Sequence, residues 1–397
     1  MSAHLFEPVR LGPLTLKNRT IRAAAFEGMA PGHLVSDALV AYHQAVAAGG
    51  VGMTTVAYAA VEQLGLAFAH QLWIRPEAVS GLRRLTEAVH RGGAKASIQL
   101  GHCGNMAKPE VAGGRAIAPS ARFNLYGPVW PRAMHEEDIK RVVSAFGTAV
   151  RLARDAGFDA VEVHAGHGYL VSQFLSPYTN RRRDSYGGPL GNRMRFMREV
   201  LAEVKRAAGD ELAVLVKTNL RDGFKGGLDL DEGLEVARTL EQDGADALVL
   251  SGGFVSRAPM YIMRGPMPME EMSKRMPQWW MRTFVGTFGE WLVPEVPYQD
   301  HYFLEDATVA RHALRLPLVY VGGVASRSAA DAVLARGFDA IAMARALIRE
   351  PGFVNRLEHE ERAGKGRPNE APCDHCNVCA ARIYTTSMAC HEWPNSG

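Results

Sequence analysis

The sequence predicts an α/β protein, a single-domain (β/α)₈ TIM barrel with a long insertion between its sixth and seventh strands. One observation behind this is a segment that returns. Ala156-Gly157-Phe158-Asp159-Ala160-Val161-Glu162-Val163 is echoed by Asp243-Gly244-Ala245-Asp246-Ala247-Leu248-Val249-Leu250 and by Arg336-Gly337-Phe338-Asp339-Ala340-Ile341-Ala342-Met343. Each copy follows an amphipathic stretch, at 136–155, 231–242 and 328–335. Helix, left-handed glycine cap and continuous apolar run therefore recur together. Runs apolar on both faces belong to parallel strands covered by helices. The second observation is spacing: the echoes lie about 90 residues apart, the length of two βα units. The third is the number of strand candidates, eight, near 20–26, 51–58, 95–100, 160–164, 213–218, 247–251, 318–321 and 340–344. A doubly wound open sheet is the runner-up. A dinucleotide fold of that kind wants a G-x-G-x-x-G turn after its first strand, and the sequence has none there.

Composition narrows the function classes. The chain has 397 residues, 47% hydrophobic and 22% charged, with a net charge of +3. Without a run of like charge, there is no footprint for nucleic acid or an anionic membrane. The first residues lack the apolar core of a signal peptide, and no apolar run reaches the ~20 residues of a membrane span. Five cysteines are too few for a disulfide scaffold. A cytoplasmic protein is expected. The barrel should occupy residues 1–356 and a cysteine-rich tail 357–397. Within the barrel, between strands six and seven, 252–306 is rich in Met, Trp and Pro, including Met276-Pro277-Gln278-Trp279-Trp280-Met281. So long a connection suits a lid or substrate-binding wall, or else the cover of a dimer interface or barrel flank.

Chemistry in such barrels sits where strands end. His164 and His167 fall at the end of the fourth strand, and Tyr169 follows two residues later. Two neutral imidazoles can donate hydrogen bonds to one carbonyl oxygen and stabilise developing enolate charge. A phenol is a suitable general acid for a carbanion-like carbon. The alternative is that these groups satisfy buried backbone. A zinc site is weaker, because no third ligand stands at a fixed spacing.

Several motifs occur in order: Leu5-Phe6-Glu7-Pro8, Gly12-Pro13-Leu14-Thr15-Leu16-Lys17-Asn18-Arg19, His164-Ala165-Gly166-His167-Gly168-Tyr169-Leu170 and Gln173-Phe174-Leu175-Ser176-Pro177. Asn180-Arg181-Arg182, Asp184-Ser185-Tyr186-Gly187-Gly188, Val321-Gly322-Gly323-Val324 and Met343-Ala344-Arg345 continue the series. The ordered set, over residues 5 to about 357, resembles the Old Yellow Enzyme family of FMN ene-reductases. The resemblance implies an FMN-binding barrel that takes reducing equivalents from NADH or NADPH. It then passes a hydride from flavin N5 to Cβ of an α,β-unsaturated carbonyl compound. His164 and His167 would hold the carbonyl oxygen and Tyr169 would protonate Cα. Gly322, Gly323, Ala344 and Arg345 would grip the flavin phosphate, with backbone N–H groups and a cation. Gln99 would meet the pyrimidine edge. Lys217 would stabilise the reduced anionic flavin; buried without a partner it would be costly. Ala24 and Ala25 would approach the ring through their backbone. Phe26 departs from the family's commoner Cys or Thr, and Tyr58 should fill space nearby. Partners would be a small enone-type substrate and NAD(P)H, with a homo-oligomer expected.

The tail carries Cys373-x₂-Cys376-x₂-Cys379-x₁₀-Cys390, a metal-like spacing. It resembles the iron–sulfur loop of larger dienoyl-CoA reductase-like relatives, though two spacings are one residue shorter. Iron–sulfur, zinc and metal-free thiols all stay open, with His375 and His391 as alternative ligands. Cys103 reads as a core residue. Three rivals remain. One is a flavin amine dehydrogenase or demethylase of the trimethylamine dehydrogenase type, with Trp279-Trp280 as an aromatic cage. Another is a flavin-free (β/α)₈ aldolase or isomerase using Lys217, and the third a non-catalytic scaffold.

Overall fold

The computed structural model describes residues 4–124, 129–274, 279–292, 295–363, 370–383 and 386–392. Eight parallel strands close into one barrel. They are β1 (Thr20–Arg22), β2 (Met53–Ala60), β3 (Lys95–Gly101), β4 (Ala160–Ala165), β5 (Ala213–Asn219), β6 (Ala247–Ser251), β7 (Leu318–Val321) and β8 (Ala340–Met343). Consecutive strands pair, and β8 returns to β1 through Ile341 opposite Thr20. All eight coincide with the expected runs to within a few residues.

The outer layer comes from α1 (Asp37–Ala48), α2 (Val79–Arg91), α3 (Glu136–Asp155), α4 (Arg195–Ala208), α5 (Leu230–Gln242), α6 (Leu304–Ala313) and α7 (Arg327–Ala335). Local chemistry starts several of them. Ser36 and Ser326 accept from Leu39 N and Ala329 N at 3.1 and 3.0 Å, and His135 and Asp138 form a capping box on α3. These satisfy N–H groups that have no intrahelical partner. Three helices end as the repeats imply, with Gly157, Gly244 and Gly337 at φ +83°, +86° and +86°.

Two apolar layers result. Ile139, Val142, Phe146 and Val150 of α3 are fully buried in the shell between helices and sheet. Inside the barrel, Met53, Ala160, Leu215 and Val249 meet Val9, Leu11, Leu14 and Leu16. These last four belong to an antiparallel hairpin, Val9–Leu11 with Leu14–Leu16, that plugs the N-terminal mouth. With that end plugged, the barrel opens at its C-terminal mouth, where the strand ends line a cavity.

The insertion contains helices at Pro259–Met263, Met269–Lys274 and Trp279–Leu292, so it is not a bare loop. Trp279 and Trp280 are 78% and 56% exposed, while 275–278 lie outside the described residues. After β8, α8 (Phe353–Arg362) crosses position 357. The tail then packs back on the barrel, with Ala371 N donating to Ala325 O at 2.6 Å and Met388 N to Glu27 O at 2.8 Å. Among the described residues, no helix is long and apolar enough to cross a membrane.

Candidate active site

The C-terminal strand ends open into one cavity of about 280 Å³. Its wall includes Ala24, Ala25 and Phe26 after β1, Tyr58 on β2, Gln99 on β3 and His164 on β4. His167 and Tyr169 follow β4, Lys217 and Ser251 come from β5 and β6, and Gly322, Ala344 and Arg345 from the turns after β7 and β8. Residues from Ala24 to Arg345, distant in sequence, thus share one surface. Gly323 is absent from that wall. A Cβ there would stand 2.7 Å from His301 N and 2.8 Å from Gln299 O, because the returning insertion presses on this turn. His301 N also donates to Gly323 O at 3.1 Å.

The loop after β1 is held from below. Arg22, fully buried, donates to Glu27 Oε1 at 2.6 Å and to Ala25 O at 2.8 Å. Glu27 also accepts from Ala57 N at 3.1 Å. Ala25 therefore turns its carbonyl into the protein. Above it Phe26 stacks on Phe68, ring centroids 4.8 Å apart, and Tyr58 meets Tyr169 edge-on at 4.9 Å. Cys103 is buried in a separate apolar cluster.

His164 and His167 lie 5.2 Å apart by ring centroid, and the Tyr169 ring is 4.4 Å from His164. His167 adopts a left-handed backbone, φ +58°, costly for a residue with a Cβ and kept only where the surroundings dictate it. Here its N–H donates to Asn219 Oδ1 at 3.0 Å, and its C=O accepts from Val255 N at 3.0 Å. Asn219 is braced in turn by Asp222 Oδ1 and Gly253 O, at 3.0 and 2.7 Å. The imidazole Nε2 sits 2.7 Å from Ser251 Oγ, which leaves Nδ1 for the cavity.

Burial, then the neighbouring His167 and Lys217 charges, hold His164 well below the usual histidine range. Burial and Lys217 bring His167 down to about 3. Both rings are neutral donors at neutral pH. The unfolded chain protonates these imidazoles below about pH 6.5, whereas the folded one resists until about 3 for His167. Stability should therefore fall as pH drops through that window. Guanidinium midpoints between pH 7 and 5 are expected to fall less steeply for His167→Gln than for the wild type. Parallel slopes would refute the assignment.

Lys217 has a partner that sequence reasoning missed. Its Nζ lies 2.8 Å from Glu162 Oε1, both side chains at most 4% exposed. Gln99 Nε2 donates to the same oxygen at 2.6 Å. Lys217 is therefore neutralised within the barrel itself, without a flavin. A Glu inside an otherwise apolar strand was the available signal. Across the barrel, Arg345 Nη1 donates to Arg264 O at 3.0 Å and to Asn377 Oδ1 at 2.9 Å.

The four tail cysteines line one small cavity together with Asp374, His391 and Arg345. Cys376 Sγ lies 3.3 Å from His391 Nδ1, and Asp374, Cys376 and His391 offer ligand atoms within 4.8 Å of one another. Burial pushes Cys376 up to about 12 and Cys379 up to about 11, so the thiols stay protonated unless a metal takes the proton's place. Cys379 also faces the large cavity.

The donors suit an FMN. His164 Nδ1 is enclosed and lacks a hydrogen-bond partner among the described residues, and such atoms demand one. Gln99 and Lys217 present polar groups at the centre, and Arg345 a cation at the turn after β8, a common phosphate site in these barrels. The two tryptophans proposed as an amine cage are not on the cavity wall, because their helix turns them to solvent. Fold and site together define a flavin-binding (β/α)₈ oxidoreductase.

The NADH:flavin oxidoreductase / NADH oxidase family model matches residues 4–258. A 4,4'-dithiodibutanoate disulfide reductase of Rhodococcus erythropolis is 42% identical over 386 residues, 96% of this chain and 93% of that one. An NADPH dehydrogenase of Listeria monocytogenes serotype 4a is 37% identical over 260 residues, 64% of this chain and 75% of its own. In fold, the old yellow enzyme homologue of Zymomonas mobilis matches with a TM-score of 0.73 at 24% identity, over 97% of both chains. The chain belongs to this family, that of Old Yellow Enzyme, and is an FMN-dependent NAD(P)H oxidoreductase.

Proposed function

We propose that this protein reduces the C=C bond of α,β-unsaturated carbonyl compounds at the expense of NADH or NADPH. The observation that carries this is the neutral imidazole pair beside a phenol at the mouth of the cavity. FMN, when bound, supplies hydride transfer to Cβ. His164 and His167 donate hydrogen bonds to the substrate oxygen, which gains negative charge as the reaction proceeds. Tyr169 delivers a proton to Cα. Ser251 and Asn219 fix the His167 ring and backbone, so its donor is aimed before substrate arrives.

Gln99 and Lys217 would hold the isoalloxazine, Ala24 and Ala25 its edge, and Gly322, Ala344 and Arg345 the phosphate. Gly323 would act through its backbone at the rim. Cys373, Cys376, Cys379 and Cys390 would hold an iron–sulfur cluster or a zinc ion, which metal analysis of the purified protein distinguishes.

A second reading comes from the 42% identical relative, whose name makes it a disulfide reductase. The same centre would then give a hydride to one sulfur of an organic disulfide, producing a thiol and releasing the other sulfur as thiolate. A dicarboxylate disulfide wants cations in the substrate half of the pocket. Among the described residues, Lys217 and Arg345 are the only Lys or Arg side chains on the wall, and the proposed cofactor site uses both. Much of the rest of the wall is apolar or aromatic, with Phe26, Tyr58, Phe68, Val255, Ile262 and Met263, which favours a neutral, apolar electrophile.

Anaerobic flavin spectra test this. Absorbance near about 450 nm is expected to bleach with NADH or NADPH and to return faster with a cyclic enone than with 4,4'-dithiodibutanoate. Recovery with the disulfide alone would overturn the enone reading in favour of the second.

A further inference from the structure

The cysteine-rich tail does more than sit beside the barrel: it forms one wall of the main cavity through Asn377, Cys379, Ala380, Ile383 and Met388. Asn377 is 1% exposed and has a left-handed backbone, φ +59°. Its amide is fully engaged. Oδ1 accepts from Arg345 Nη1 at 2.9 Å, and Nδ2 donates to Arg264 O at 3.1 Å and Pro266 O at 3.0 Å. Arg264 O is itself the second acceptor of Arg345 Nη1, at 3.0 Å. One side chain thus ties together the insertion, the tail and the cation after β8.

The close approach is built in. Gly265 lies where a Cβ would meet His375 O at 2.6 Å, and His375 stacks on Tyr298, over which Arg345 also lies at 5.4 Å. Both protons of Arg345 Nη1 are used by these two oxygens. That fixes the plane of the guanidinium; its remaining N–H groups face the Tyr302 hydroxyl and the cavity, where they can meet an anion.

We propose that Asn377 is a positioning residue for the cofactor, holding Arg345 in the orientation that receives the FMN phosphate, so that the tail completes the flavin site. This rests on Arg345 being the phosphate ligand. Preorientation matters because an arginine that must be ordered on binding spends interaction free energy on its own rotamers.

The test uses the full-length protein stripped of flavin, titrated with FMN and with riboflavin, which lacks the phosphate, by quenching of flavin fluorescence. Asn377→Gly removes the amide but keeps the left-handed backbone that glycine adopts freely. Asn377→Asp also tolerates that conformation but loses the two donated bonds and opposes the phosphate with its charge. Both are expected to raise the FMN Kd about tenfold or more, as loss of an oriented charge-assisted contact implies. The riboflavin Kd should stay within about twofold. Equal losses for both ligands, or an unchanged FMN Kd, would overturn the proposal. A wild type that binds FMN no better than riboflavin would instead remove the phosphate role of Arg345.

Discussion

Replacing Tyr169 by phenylalanine is expected to slow reduction of a cyclic enone by about 10²–10⁴-fold, the contribution of a well-placed general acid. Bleaching of the flavin by NAD(P)H should continue near the wild-type rate. The substitution keeps the ring, so the contacts with His164 at 4.4 Å and Tyr58 at 4.9 Å persist and the cavity keeps its shape. Only the proton donor goes. Its loss falls on the step in which Cα must be protonated, because a carbon anion cannot wait for bulk water in a closed pocket. A disulfide behaves differently: its leaving sulfur departs as a thiolate, stable enough near neutral pH to need little acid help. The variant therefore separates the two readings in one preparation. Stopped-flow traces in which enone reduction is unaffected would sink the assignment of Tyr169.

Much of the fold was legible because its signals are local. Apolar runs, capping glycines and the spacing of the echoes each depend on neighbours in sequence, and the strands formed where those signals stood. The His164, His167 and Tyr169 cluster was visible for the same reason, since one turn carries all three. The residues that brace it come from elsewhere. Asn219 and Ser251 end two other strands, and nothing in their surroundings distinguishes a hydroxyl or amide aimed at His167 from one that caps a strand. Glu162 was closer to being readable. Register sets it opposite Gln99, one strand over, and His164 opposite Lys217, so a carboxylate in an apolar run pointed to a cation on an adjacent strand. The insertion was the least legible part. An aromatic cluster says that a surface must be covered or used, but the direction in which Trp279 and Trp280 face follows from long-range packing of their helix. The fate of Gly323 likewise depends on where the insertion returns.

The largest effect on stability should follow Lys217→Met. Lys217 and Glu162 form an ion pair inside the barrel, 2.8 Å apart and almost wholly shielded. Such a pair contributes little net stability when intact, because desolvation of both charges offsets their attraction, but removing one partner strands the other. Among the described residues the stranded carboxylate keeps only the Gln99 amide as a donor, and the expected cost is about 3–5 kcal/mol. Adding Glu162→Gln should recover most of it by removing the buried charge, a coupling that a simple loss of packing would not produce. Guanidinium unfolding of the flavin-free single and double variants measures this, and equal destabilisation of both would refute it. The chemistry should move as well. Lys217 is one of the causes holding His167 down at about 3, so its removal lets that imidazole protonate at higher pH and shifts the acid limb of the rate profile upward. The flavin midpoint potential should fall, because no cation then favours the reduced anion. Stability restored by the double variant, with the potential still low, would show that the lysine has a redox role separable from its place in the core.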